Sequence, residues 1–270
     1  MIKYDLHTHS ESSDGSDSPF DLLEKAKGLG LTGISITDHD TISAYTPELF
    51  QKAEELSLDL VPGVEFSTFY KESNIHLLGY FIDIKSPLIQ EFCKRHKERR
   101  NNRNRLILEK LAKLGMSIDY EELYATKRGI IGRPHIAEIM IKKGYVKTIQ
   151  EAFSKWIGDG KPGYESGSFI DIYETIAVIK NSGGKVVVAH PILIKKKTVF
   201  KGLCELKLDG WECYYARFSP KQNEEMVKIA DQHQLIKTGG SDYHGAIKPF
   251  NQLGSAYTDE ENILKLKNHA

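Results

Sequence analysis

Short apolar runs bounded by polar loops recur at 2–6, 33–37, 58–64, 75–82, 185–189, 210–214 and 235–238, and each predicts a β-strand. Between several of them lie segments of helical period, at 19–29, 47–56, 170–181 and 220–233, with proline or an acidic residue in the first turn. The glycines of Gly28-Leu29-Gly30 and Ser182-Gly183-Gly184 close two of these helices. Strand and helix in alternation predict an α/β fold with a parallel sheet. The rhythm breaks between residues 85 and 167, where helical patterns follow one another with no strand between them. The chain therefore divides into an α/β part, 1–84 and 168–270, and a helical insertion, 85–167.

Composition narrows the function classes. Lys plus Arg and Asp plus Glu both number 37, so no global field draws the protein to nucleic acid or membrane. Local charge is another matter, because the helical pattern at 94–110 carries eight basic residues against two acidic ones. That face is either solvated or laid against a nucleic-acid backbone. Cys93, Cys204 and Cys213 are odd in number and lack zinc-knuckle spacing, which predicts reduced thiols in a cytoplasmic protein. No apolar stretch has the length of a signal peptide or membrane span, and nothing suggests an obligatory protein partner.

Candidate chemistry lies at the strand ends. His7, His9, His39, Glu65, His190, Asp242 and His244 fall at or just beyond the C-terminal ends of predicted strands, Asp14 follows the first strand, and His76 sits near the start of its own. His7 and His9, two apart on an extended segment, point to the same face. In a parallel barrel that end is where loops converge on one mouth, so six imidazoles and three carboxylates would share one bowl. This donor mix suits manganese, zinc or iron rather than calcium or magnesium. Two to three such ions, manganese first among them, would leave the bowl net positive and suited to an anion such as a phosphoryl group. The other histidines, His96, His135, His233 and His269, lie outside this pattern.

His7-Thr8-His9-Ser10, Ser13-Asp14-Gly15, Thr37-Asp38-His39-Asp40-Thr41, Gly63-Val64-Glu65, His76, Ala189-His190-Pro191 and Gly240-Ser241-Asp242 with His244-Gly245 resemble, in order and spacing, the motifs of the PHP (polymerase and histidinol phosphatase) superfamily. The resemblance implies a distorted (β/α)7 TIM-like barrel with a trinuclear centre. It implies that His7, His9, Glu65 and Asp242 hold one ion, Glu65, His76 and His190 a second, and Asp14, His39 and His244 a third. A metal-bridging hydroxide, set by His9, Glu65 and Asp242, would then attack phosphorus. The insertion motifs at 131–137 and 158–162 are similar to those of nucleoside 3′,5′-bisphosphate phosphatases and ribonuclease AM. That likeness implies a phosphate grip by Arg133, His135 and Lys161, and a nucleotide or short single-stranded RNA as substrate. Two departures touch the substrate side: Ile192-Leu193 stands where an Arg-Tyr pair is common, and Gly163-Tyr164-Glu165-Ser166 replaces Ala-Tyr-Val-Pro. Tyr215 and Arg217 are placed to supply a replacement contact.

The expected activity is hydrolysis of nucleotide phosphate esters, either the 3′-phosphate of a bisphosphate or stepwise 5′-to-3′ trimming of short RNA. A histidinol-phosphate-type phosphatase is the main alternative. An amidohydrolase-type enzyme would call for fewer metals and a bridging lysine at a mid-chain strand end, where none stands. A non-catalytic binding module fits poorly with a complete donor set.

Overall fold

The protein is described by a computed structural model covering residues 2–125 and 129–268; His269 lies outside the described residues. Among the described residues there are eight strands: β1 (Tyr4–Thr8), β2 (Gly33–Ile36), β3 (Asp59–Leu60), β4 (Gly63–Tyr70), β5 (Ser73–Tyr80), β6 (Lys185–Val188), β7 (Gly210–Tyr215) and β8 (Ile236–Gly240). The helices are α1 (Pro19–Gly28), α2 (Pro47–Glu55), α3 (Pro87–Lys113), α4 (Tyr120–Tyr124), α5 (Arg133–Lys142), α6 (Ile149–Ala152), α7 (Ile172–Asn181), α8 (Lys197–Cys204), α9 (Pro220–Gln232) and α10 (Glu260–Asn268).

Helix starts follow a repeated device. Ser18-Pro19, Thr46-Pro47 and Ser219-Pro220 each place a hydroxyl cap before a proline in the first turn, and each hydroxyl accepts a backbone N–H three residues on. Such a cap stabilises its helix by about 1 kcal/mol. Gly30 and Gly183 lie just past helix ends with φ of +72° and +76°, the left-handed region where glycine is unstrained.

The strands form two sheets, β1-β2-β3 and β4-β5-β6-β7-β8. The expected run at 58–64 is two strands, because Pro62 has no N–H to give a ladder and interrupts it. The expectation of parallel pairing fails for one strand: β5 runs antiparallel to both β4 and β6. β4 and β5 are joined by Lys71-Glu72, both at positive φ (44° and 58°), a tight hairpin turn made without the Asn-Gly signature that usually announces one. The remaining strand pairs are parallel. Isolated parallel bridges also join Thr8 to Tyr243 and His39 to Glu65.

The chain separates into two compact units, Met1–Cys93 with Ile170–Ala270, and Lys94–Phe169. In the first, Phe66, Leu77, Val186, Val188 and Trp211 pack on one side of the larger sheet, while Leu6, Leu78, Tyr80 and Val187 form a separate cluster. Leu22, Leu23, Ile34, Ile36 and Leu49 bind α1 and α2 to the smaller sheet. The second unit has its own core, with Ile107, Leu111, Ile136, Met140 and Ile157 fully buried or nearly so. Among the described residues no helix is long and apolar enough to cross a membrane.

Candidate metal centre

Strand alternation sends apolar side chains one way and polar ones the other. In β1, Leu6 enters a core cluster while His7 turns to the opposite face; in β7, Trp211 and Cys213 enter the core and Glu212 faces His7. β8 can lie against β1 only because Gly240 has no side chain: a Cβ there would stand 2.3 Å from that of His7. The Asp242 N–H then donates to the His7 carbonyl at 2.7 Å.

Donor atoms gather in four overlapping sets, each with its atoms within 4.8 Å of one another: His9, Asp14, His39 and His244; His7, Glu65 and His190; His7, His9 and Asp242; and His39, Glu65 and His76. Together they contain all nine residues singled out in the sequence. The grouping differs in detail from the one the resemblance implies, since His9 joins the Asp14 set and His76 and His190 meet Glu65 in separate sets.

Glu65 is the hub. Its carboxylate lies 2.8 Å from His76 Nδ1, 3.0 Å from His190 Nε2, 3.0 Å from His39 Nδ1, 3.2 Å from His9 Nε2 and 3.4 Å from His7 Nε2. Yet Glu65 Oε2, His7 Nε2, both nitrogens of His9, His39 Nδ1 and His244 Nε2 are buried with no properly formed hydrogen bond. Buried polar atoms are rarely left this way. Convergent buried donor atoms without hydrogen-bond partners are the chemistry of a cation site, so the donor set fits divalent ions.

Electrostatics say the same. Burial alone would raise the pKa of Glu65, but the imidazoles of His39, His76 and His7 outweigh it and hold the carboxyl well below its usual range. Asp14 and Asp242 are likewise held down against burial, the former by His39 and His244, the latter by Lys248 and His244. Burial would lower His9, yet Asp242 and Glu65 lift it to about 9, whereas burial, with His9 and Lys248 nearby, takes His244 down to about 4. Without ions the cluster is a set of mismatched protonation states.

The surrounding shell holds groups that the sequence reading did not select. Glu212, fully buried, accepts from His7 Nδ1 at 2.8 Å and from the His190 N–H at 2.5 Å, fixing which nitrogen His7 presents to the cluster. A charged residue inside an otherwise apolar strand was the available signal, since a buried carboxylate needs partners. Substituting Glu212 with Gln is expected to weaken divalent-ion binding by about 10–100-fold; calorimetric titration with manganese checks this, and an unchanged affinity would exclude the role.

Asp38 and Asp40, which flank His39 in the chain, brace backbone segments. Asp38 accepts from the Ser10 N–H (2.8 Å) and from the hydroxyls of Ser10 and Ser13 (both 2.6 Å), pinning the loop between His9 and Asp14. Asp40 accepts from the Ser67 N–H at 2.7 Å. Tyr215, expected near substrate, donates its hydroxyl to Asp242 Oδ2 at 2.8 Å.

Arg133, His135 and Lys161 belong to the second unit. Arg133 pairs with Asp159 (2.6 Å) and lies over the rings of Phe153 and Tyr164; the buried His135 accepts the Gly132 N–H at its Nδ1 (2.9 Å); Lys161 is exposed in a turn. The basic helix braces this unit. Lys110 reaches the Tyr164 carbonyl (2.6 Å) and Glu165 (3.0 Å), Arg99 the Ser168 carbonyl, and Arg105 stacks on Tyr120.

The chain is 35% identical to the 5′-3′ exoribonuclease Rnm of Escherichia coli over 94% of its own length and 88% of the relative's. It is 27% identical to the 3′,5′-nucleoside bisphosphate phosphatase of Chromobacterium violaceum, over 90% and 88%. A solved structure from Bifidobacterium adolescentis, a candidate metal-dependent phosphoesterase, superposes with a TM-score of 0.88 at 31% identity, over 97% of this chain and 94% of that one. The PHP domain profile matches residues 5–248, a span that contains all nine clustered residues. With that match running over most of its length, the chain belongs to the PHP domain family.

Proposed function

We propose that this protein is a metal-dependent hydrolase of nucleotide phosphate esters, acting on nucleoside 3′,5′-bisphosphates, short 5′-phosphorylated RNA or both. The observation that carries the reading is the convergence of four overlapping donor sets, two of them sharing Glu65, with buried donor atoms that have no hydrogen-bond partner. Named relatives act on RNA and on nucleoside bisphosphates, which supports the substrate class. The bridges Thr8–Tyr243 and His39–Glu65, which tie the two sheets together, support reading them as arcs of a distorted (β/α)7 barrel.

The nine clustered residues would hold two or three divalent ions, manganese being our assignment. Bound there, such ions supply acidified water and neutralise charge that develops on phosphorus. The chain's own part is to fix donors. Glu212 orients His7, Asp38 pins the loop carrying Asp14, and the His244 Nδ1–H donates to the Asp242 carbonyl (2.8 Å), leaving Nε2 to face the cluster. We assign a phosphate contact to Arg133, His135 and Lys161 of the helical insertion. Arg133 would exchange Asp159 for phosphate, a planar donor fork matching either partner. Substituting Arg133 with Ala is expected to raise KM about tenfold, the loss of one charge-assisted contact of about 1.5 kcal/mol, with kcat little changed. A fall confined to kcat would remove the assignment.

The test is phosphate release from adenosine 3′,5′-bisphosphate, a 5′-phosphorylated oligoribonucleotide and histidinol phosphate, with chelator and then with manganese restored. Manganese-restored turnover of either nucleotide substrate is the expected result. Preference for histidinol phosphate, or turnover that survives chelation, would overturn the proposal.

A further inference from the structure

Asp242 is gripped on one side only. Its Oδ2 accepts from the Tyr215 hydroxyl (2.8 Å), Lys248 Nζ (2.9 Å) and Asn251 Nδ2 (3.4 Å), and Asn251 also donates to the Asp242 carbonyl at 3.0 Å. Its Oδ1 is left to the cluster, 3.3 Å from His9 Nε2, 3.4 Å from His244 Nδ1 and 3.5 Å from His7 Nε2. The backbone at Asp242 is left-handed, with φ of +51°, a conformation that aspartate tolerates better than most residues and that sets the direction of its side chain.

Two neutral donors, Tyr215 and Asn251, already hold this oxygen. Lys248 adds something orientation does not need, a full positive charge in contact with an oxygen of a residue from the ion-binding set. Its side chain is 41% exposed while that of Asp242 is 4% exposed, so the ammonium caps the carboxylate from the solvent side. A cation in that position draws electron density from the carboxylate and repels an ion bound through the opposite oxygen. It would also hold the second oxygen back from a bound ion, keeping a coordination position free for substrate.

Resting on the metal reading above, we propose that Lys248 is a positioning residue that keeps Asp242 a one-oxygen ligand and deliberately weakens ion binding at that side of the centre. The prediction runs opposite to that for an ordinary supporting contact. Lys248→Met should bind manganese about tenfold more tightly while kcat falls about tenfold, and Lys248→Arg should return both toward wild type. Tyr215→Phe removes a neutral donor from the same oxygen and should not tighten binding.

The experiment is manganese titration by calorimetry on the full-length wild type and the three variants, beside nucleotide turnover and thermal melts of the ion-free proteins. Looser or unchanged manganese binding in Lys248→Met would overturn the proposal, as would a rise in KM with ion affinity unchanged, which marks a direct substrate contact. Tightening by Lys248→Met supports it even where activity is too low to measure. A wild type that binds no manganese removes the metal reading and this inference together, whereas manganese binding without nucleotide turnover removes only the proposed activity.

Discussion

Glu65→Gln should reduce phosphate release by on the order of 10³-fold or more and leave the purified protein depleted of divalent ions. No other carboxylate in the cluster lies against so many imidazoles, five of them between 2.8 and 3.4 Å. Glutamine keeps the shape and volume, so the neighbouring Val64, Phe66 and Leu77 stay packed and the fold survives. What is lost is the negative charge on which the donor sets of His7, His39, His76 and His190 depend. A loss of about 4 kcal/mol in ion binding and charge stabilisation at this hub corresponds to a factor of about 10³. Elemental analysis and a phosphate-release assay on a variant whose circular dichroism matches wild type would check this. Retention of both ions and activity would displace Glu65 from the centre of the site.

The donor residues were legible because metal chemistry demands particular side chains, and apolar strands delivering His or a carboxylate at their ends are conspicuous in one dimension. Glu65 could be placed without knowing its sheet neighbours. The pairing of its strand could not: Lys71-Glu72 is a poor advertisement for a hairpin, and the antiparallel β5 follows from that turn. Supporting residues were the least visible. Lys248 and Asn251 read as ordinary loop polar residues, and their meaning arises only when the chain folds back on Asp242. Arg133 shows the converse, a motif residue whose contacts, to Asp159, Phe153 and Tyr164, are also those of a structural pair.

Divalent ions should stabilise the fold, and the effect should grow as pH rises from about 6 to about 9. At manganese about a thousandfold above its dissociation constant, binding to the native state alone adds about 4 kcal/mol, or roughly 10 °C in Tm for a chain of this size. The pH dependence follows from the ion-free cluster. Burial opposes protonation of His7 and His9, but Glu212 and Glu65 raise His7 well above its ordinary value, and Asp242 and Glu65 carry His9 to about 9. A histidine raised on folding stabilises the ion-free protein fully below its unfolded value of about 6.5, and that contribution is lost as pH rises through the folded one. Over the same interval the protons that compete with ions for these nitrogens are removed. Falling ion-free stability and rising ion affinity therefore act in the same direction, so the gain in Tm on adding manganese is expected to be small near pH 6 and largest toward pH 9. Paired thermal melts with chelator and with manganese across this range test it. A gain that shrinks with rising pH would mean that the ions bind through groups other than His7 and His9.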